Sequence, residues 1–294
     1  MNRSINEAVL ALDELILKDP ASRGVCEFTL PGSLLKAARS LQDSRTVMIL
    51  TGFYISEAGR GETDGPPGAV SLQRALNKIG KKTVIVTDDP NESLVLAAAK
   101  ALGFQSDLVS VPVSADKNML KEILEEYSPS HVVSIERPGK SEDGCYYSMR
   151  GFNISSYTAA LDQLIVLAEE RNITTIGLGD GGNEIGMGLI NDKITTHVKN
   201  GRRIACVVGV DYLITSGITN WGAYALVILL SLFEKRNLLH SEADEKAMIE
   251  AMTEVGGVDG NLGYPNHSID GVSASDHQRV VQEMRRIYQE FLAK

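Results

Sequence analysis

Apolar and polar residues recur along this chain with two different periods, and each change of period marks an element. Residues 5–17 set apolar positions at helical spacing among acidic ones, which predicts an amphipathic helix ended by Pro20. Leu34–Leu41 predicts a second helix, with Pro31, Gly32 and Ser33 as its start. Short β-branched runs then predict strands at Val47–Leu50, Val84–Thr87, Leu108–Val113, His131–Ile135, Ile173–Leu178 and Ile204–Val210. Helical patterns fall between them at Gly68–Ile79, Glu92–Leu102, Lys117–Tyr127 and Ile154–Arg171. Gly217–Arg236, Ser241–Val255 and Val272–Leu292 predict closing helices. Strands alternating with helices predict an α/β fold with a doubly wound, mostly parallel sheet, helices on both faces and extra N- and C-terminal helices. No repeat or linker divides the chain, so residues 1–294 are expected to form one domain, with 1–43 as a helical extension packed on it.

In such sheets a site lies beyond the carboxyl ends of the strands. The residues that follow the predicted strands are Thr51-Gly52, Asp88-Asp89, Glu136-Arg137, Gly179-Asp180 and Asp211. The loop after the first strand adds Glu62 and Asp64, and Gly65-Pro66-Pro67 opens the next helix. Six glycines fall between Gly177 and Gly188, interrupted by Asp180, Asn183 and Glu184. Glycine at that density lets a ligand approach the backbone closely. If the turn is helical, Asp180 and Glu184 share one face. Clustered carboxylates repel each other unless a cation or proton lies between them. Oxygen donors without Cys or His favour a divalent cation such as Mg²⁺ or Mn²⁺. Glu62, Asp64, Asp180, Glu184 and Asp211 are the candidate ligands. The bland alternative is a set of solvated loop carboxylates, with Asp180 as a helix cap. At Thr219-Asn220-Trp221-Gly222, Trp221 either lines a pocket or anchors the core.

Other chemistries are disfavoured. Gly177, Gly179 and Gly182 match GxGxxG, but Asp180 and Glu184 would face the pyrophosphate and no acidic residue follows at ribose-binding spacing, so NAD is not expected. There is no P-loop, GxSxG or HExxH. Neither ATP nor PLP is expected. With 38 acidic against 29 basic residues and a net charge of −9, the chain is unsuited to nucleic acid. Cys26, Cys145 and Cys206 form no paired motif, which suits a reducing compartment. Tyr224–Phe233 is apolar but too short to span a bilayer, so a buried helix and no membrane partner are expected. The N-terminal stretch resembles neither a secretory signal nor a transit peptide, so the cytoplasm is expected. Homo-oligomer formation is left open.

The stretches ETDGPPGA (62–69), ERPGKSEDGCYYSMRG (136–151), GLGDGGNEIGMG (177–188) and TNWGAYAL (219–226) resemble the D-glutamate cyclase-like family, and the resemblance extends from about Val47 to Asp270. It implies a lyase that closes D-glutamate to 5-oxo-D-proline with loss of water, and it adds the mitochondrial matrix as a compartment. On that reading a divalent ion held by Asp64, Asp180 and Glu184, with Glu62 and Asp211 as further ligands, neutralises the γ-carboxylate. Arg137 or Arg150 holds the α-carboxylate, and Glu136 is the base. Thr51, Gly52, Gly181, Gly182, Asn183 and Asn220 are expected to contact substrate. Two other readings use the same residues. One is an Mn²⁺- or Mg²⁺-dependent phosphohydrolase of a small phosphorylated compound, and the other is a non-catalytic binding module.

Overall fold

β-Branched runs build the centre of the molecule, and the computed structural model describes residues 2–292. In chain order the strands are β1 (Thr46–Thr51), a hairpin of β2 (Tyr54–Ile55) and β3 (Arg60–Gly61), β4 (Lys82–Asp88), β5 (Leu108–Val111), β6 (His131–Ile135), β7 (Thr174–Gly179), β8 (Tyr212–Thr215), and a hairpin of β9 (Ser268–Ile269) and β10 (Val272–Ser273). Six of them form one parallel sheet in the order β5-β4-β1-β6-β7-β8. The order reverses between β1 and β6, which makes their carboxyl ends the switch point of a doubly wound sheet.

Helices α1 (Asn2–Ile16), α2 (Ser33–Gln42), α3 (Pro66–Lys78), α4 (Asp89–Ala101), α5 (Lys117–Tyr127), α6 (Asp162–Glu169), α7 (Asn191–His197), α8 (Gly201–Ile204), α9 (Thr219–Phe233), α10 (Glu242–Glu254) and α11 (Ala274–Leu292) cover the two faces. Side chains alternate across a strand, so Val47 and Ile49 of β1 enter one core while Met48 and Leu50 enter the other. The larger core gathers apolar residues of α1, α2, α3, α4, α9, α10 and α11. Helix α9 lies in its middle and is buried along nearly its whole length, as its unbroken apolar run requires. No helix among the described residues is long and apolar enough to cross a membrane.

Two expected elements form differently. Ile154–Arg171 is not one helix: a 3-10 turn at Ser155–Tyr157 precedes the short α6. Between them, the Ala159 amide donates to Asp88 and its carbonyl accepts from Arg137, so its backbone bonds to the sheet's end rather than to a helix. Ile204–Val210 is not a strand. Its amides and carbonyls bond irregularly to the glycine loop, with the Cys206 amide on the Gly182 carbonyl and the Gly186 amide on the Val208 carbonyl. The strand proper starts one residue after Asp211. An apolar run reports burial, and here the burial is beneath a loop.

Candidate functional site

Local sequence sets each carboxylate at the switch point. After β1 the chain makes the β2–β3 hairpin and returns, so Glu62 and Asp64 come back over the strand ends. Gly65 has φ +98°, and a Cβ there would lie 2.7 Å from Thr51 Oγ1 and 2.9 Å from Glu136 Cβ. Only glycine fits that crossing. Pro66 and Pro67 then start α3 with their φ angles preset. Glu136 follows β6 with φ +46°, and Asp180 follows β7.

The side chains of Asp64, Glu136 and Asp180 converge, with one oxygen of each within 4.8 Å of the others. Asp64 and Asp180 are hydrogen-bonded to one another. Both also accept the Thr219 amide, and Asp64 accepts the Asn220 amide, so they cap α9 and meet the positive end of its dipole. Thr219 Oγ1 donates to Glu136 through a very short bond. A cavity of about 740 Å³ opens above them, lined by Glu62, Glu136, Asp180 and Asn183 on its floor and by Arg150 and Lys199 on its rim.

Burial raises the proton affinity of the whole cluster. Glu62 is held well above the usual carboxylate range by desolvation and then by the charges of Asp270 and Asp64. Glu136 is raised well above it by desolvation and by Glu184 and Asp64. Desolvation also raises Asp180 well above, although Arg23 opposes the shift. Asp64 is pushed up only to about 7, by burial and the Asp270 charge, because its hydrogen bonds to Asp180, Thr219 and Asn220 favour the ionised form. Near neutral pH such a group can both give and take protons.

The other expected residues occupy different places. Glu184 turns into its own loop and accepts the amides of Asp180, Gly181 and Gly182. It therefore fixes the glycine loop, and Asp180 and Glu184 do not share a helical face, because no helix forms there. Gly181 and Gly182 serve that loop through their amides. Gly177 permits the loop to fold back, since a Cβ there would lie 2.7 Å from the Ile185 carbonyl oxygen. Asn183 anchors on the Tyr147 carbonyl and keeps its buried Oδ1 without a partner beside the cavity. Arg137 is fully buried beneath the floor, bonded to Asp88, the Gly52 carbonyl and the Ala159 carbonyl, and does not line the cavity. The Thr51 carbonyl likewise accepts from Thr87 within the sheet. Asn220 Oδ1 accepts the Gly65 and Gly68 amides and ties α9 to α3. Asp211 is at the opposite end of the sheet, bonded to the Thr175 amide and hydroxyl, because its strand begins after it rather than before it. It cannot join the cluster as a metal ligand. Trp221 is 4% exposed and donates to His277 in the larger core, so of its two expected roles it has the packing one.

Two site residues carry no motif. Arg23, from the segment between α1 and α2, bridges Asp180 and Asp270 through Nη1, at 2.7 Å from Asp270. Burial disfavours its charge, but Asp180 and Asp270 outweigh this and hold the guanidinium firmly protonated. Asp270 belongs to the Gly-, Asp- and Asn-rich loop 256–273, where composition alone flags a tight turn. Asp259 shapes that turn by accepting the amides of Asn261, Leu262 and Gly271.

The match to a family described as "D-glutamate cyclase-like, C-terminal" spans residues 12–285. The chain is 33% identical over 259 residues to human "D-glutamate cyclase, mitochondrial", covering 83% of this chain and 42% of that protein's length. An exopolyphosphatase-related protein from Bacteroides fragilis, known from a crystal structure, aligns with a TM-score of 0.43 at 8% identity, over 90% of this chain and 61% of the other. That likeness is too slight to bear on function.

Proposed function

The chain belongs to the D-glutamate cyclase-like family, and from that premise we propose that it is a lyase closing D-glutamate to 5-oxo-D-proline and water. The observation that carries this reading is the meeting of Asp64, Glu136 and Asp180 where the last two line the cavity. Cyclisation joins the α-amino nitrogen to the γ-carboxyl carbon, and one γ oxygen departs as water. The ammonium must lose protons, and the departing oxygen must gain them. A carboxylate cluster that keeps some members protonated and others ionised near neutral pH does both in one place. Glu136 and Asp180, which line the cavity, are the groups assigned to this exchange. Arg150, on the rim, is assigned the α-carboxylate. Its guanidinium is held by Glu57 and the Asn261 carbonyl and faces the same cavity.

The test is to incubate the protein with D-glutamate and with L-glutamate and follow 5-oxoproline by NMR. Conversion of the D form is expected; absence of product in both metal-free and Mn²⁺-containing buffer would overturn the reading. The three converging oxygens favour one second reading, a phosphohydrolase in which Asp64, Glu136 and Asp180 hold Mg²⁺ or Mn²⁺. Phosphate release from small monoesters, dependent on Mn²⁺ and abolished by chelator, would favour it.

A further inference from the structure

We infer that Arg23 is the resident cation of this site, standing where a divalent ion would bind and excluding it. The inference rests on the acidic floor being the reacting site. The donor set argues first. Both Asp64 oxygens accept backbone amides. One Asp180 oxygen accepts the Thr219 amide and the other meets Arg23 Nη1. One Glu136 oxygen accepts the Thr219 hydroxyl. Of the six oxygens of Asp64, Asp180 and Glu136, only the second oxygen of Glu136 has no recorded donor. A hard cation needs several uncommitted oxygens at about 2.0–2.2 Å for Mg²⁺. It would also sit beside a fixed guanidinium, with like-charge repulsion in a poorly solvated place.

The second argument is how Arg23 is delivered. Helix α1 packs in the larger core, but Val25 packs in the core on the other face. The chain therefore crosses the sheet between them. It does so at the carboxyl end of β8, where the Gly217 amide bonds to the Ile16 carbonyl. The crossing is braced by Asp19, whose carboxylate accepts the amides of Arg23 (3.1 Å) and Gly24 (2.7 Å). Ser22 takes a left-handed φ of +53° just before Arg23. A turn closed on itself in this way holds its side chain in place before any ligand arrives.

The third argument is what the guanidinium leaves free. Its recorded contacts are all made by Nη1, and its side chain is 15% exposed on the cavity wall. Nε and Nη2 can donate to a ligand carboxylate in the planar fork that Arg offers. Arg23 thus supplies the positive charge that activates a carboxylate group of the substrate, the role otherwise given to a metal. Asp270 is its positioning partner. Its Oδ2 holds Arg23, while its buried Oδ1 has no hydrogen-bond partner. That oxygen stands, with Glu62 Oε2, within 3.2 Å of where a Cβ on Gly260 would lie.

The experiment is Mn²⁺ binding to the full chain, read by electron paramagnetic resonance and independent of any activity. Weak binding is expected for the wild type and for Arg23→Lys, which keeps the charge. Arg23→Gln should bind Mn²⁺ at least about tenfold more tightly, and adding Asp180→Asn should cancel the gain. Arg23→Met serves as a second charge-removing variant if Gln destabilises the turn. Wild-type affinity equal to that of the neutral variants, whether tight or weak, would overturn the inference. Because the readout is binding, a failed cyclisation assay leaves this result interpretable, and the reverse also holds.

Discussion

Two sets of buried carboxylates in this molecule meet opposite fates. Glu245 of α10 lies in the middle of the larger core and is fully buried. It accepts the Tyr224 hydroxyl and bonds to His240, and His277 lies 3.7 Å away. Burial raises its proton affinity, but these partners more than offset that, and the carboxyl ends below its ordinary range. The switch-point carboxylates are just as buried. They lie beside other carboxylates, whose negative charge adds to the cost of burial, and Glu62, Glu136 and Asp180 face a cavity. Glu62, Glu136 and Asp180 are therefore pushed well up. Burial alone does not set a carboxyl group's proton affinity; the sign of the charges packed around it decides the direction.

That contrast can be broken most sharply at Asp180. On the proposed cyclisation, Asp180→Asn keeps the shape and removes the assigned proton carrier, so turnover of D-glutamate should fall about 10²–10⁴-fold while the thermal midpoint holds or rises. Retained turnover in a well-folded variant would place Asp180 with the structural acids. Glu245→Ala is the converse case. It strands His240 and Tyr224, and calorimetry should show a stability loss of about 3–5 kcal/mol, with turnover of the folded fraction little changed. A collapse of turnover at full stability would contradict the division.

A smaller effect comes from Asp64, whose carboxyl is pushed up to about 7 by burial and the Asp270 charge, against about 4 in an unfolded chain. Raised in the folded state, it contributes stability that is present in acid and lost as pH rises through this window. Asp64→Asn should flatten the fall in thermal midpoint between pH 5 and pH 8, a difference on the order of 1–3 kcal/mol. Parallel melting curves for the two proteins would show that Asp64 does not titrate there. The smallest effect is at the rim. Arg150 is 46% exposed and pairs with Glu57 at 3.1 Å, so Arg150→Gln should cost less than about 1 kcal/mol. Its mark should be a several-fold higher KM for D-glutamate with kcat unchanged, and an unaltered KM would remove it from substrate binding.

Legibility in the sequence followed the range of the interactions. Period and β-branching are local properties, and they were enough to predict the parallel sheet, its flanking helices and the strand-end positions of Glu136 and Asp180. The glycine-interrupted acids after β7 and the ETDGPP stretch after β1 were conspicuous for the same reason: a chain crossing near other backbone needs glycine locally. What the sequence left open was decided by contacts between distant segments. Asp211 moved to the opposite end of the sheet because an apolar run was buried under a loop instead of pairing as a strand. Glu184 turned inward because three glycine-loop amides needed an acceptor. Arg23 and Asp270 are 247 residues apart, and no spacing in the chain links them. Only the crossing of the N-terminal segment over the end of the sheet puts a guanidinium among the carboxylates, and electrostatic partnership depends on that distance in space, not on separation along the chain.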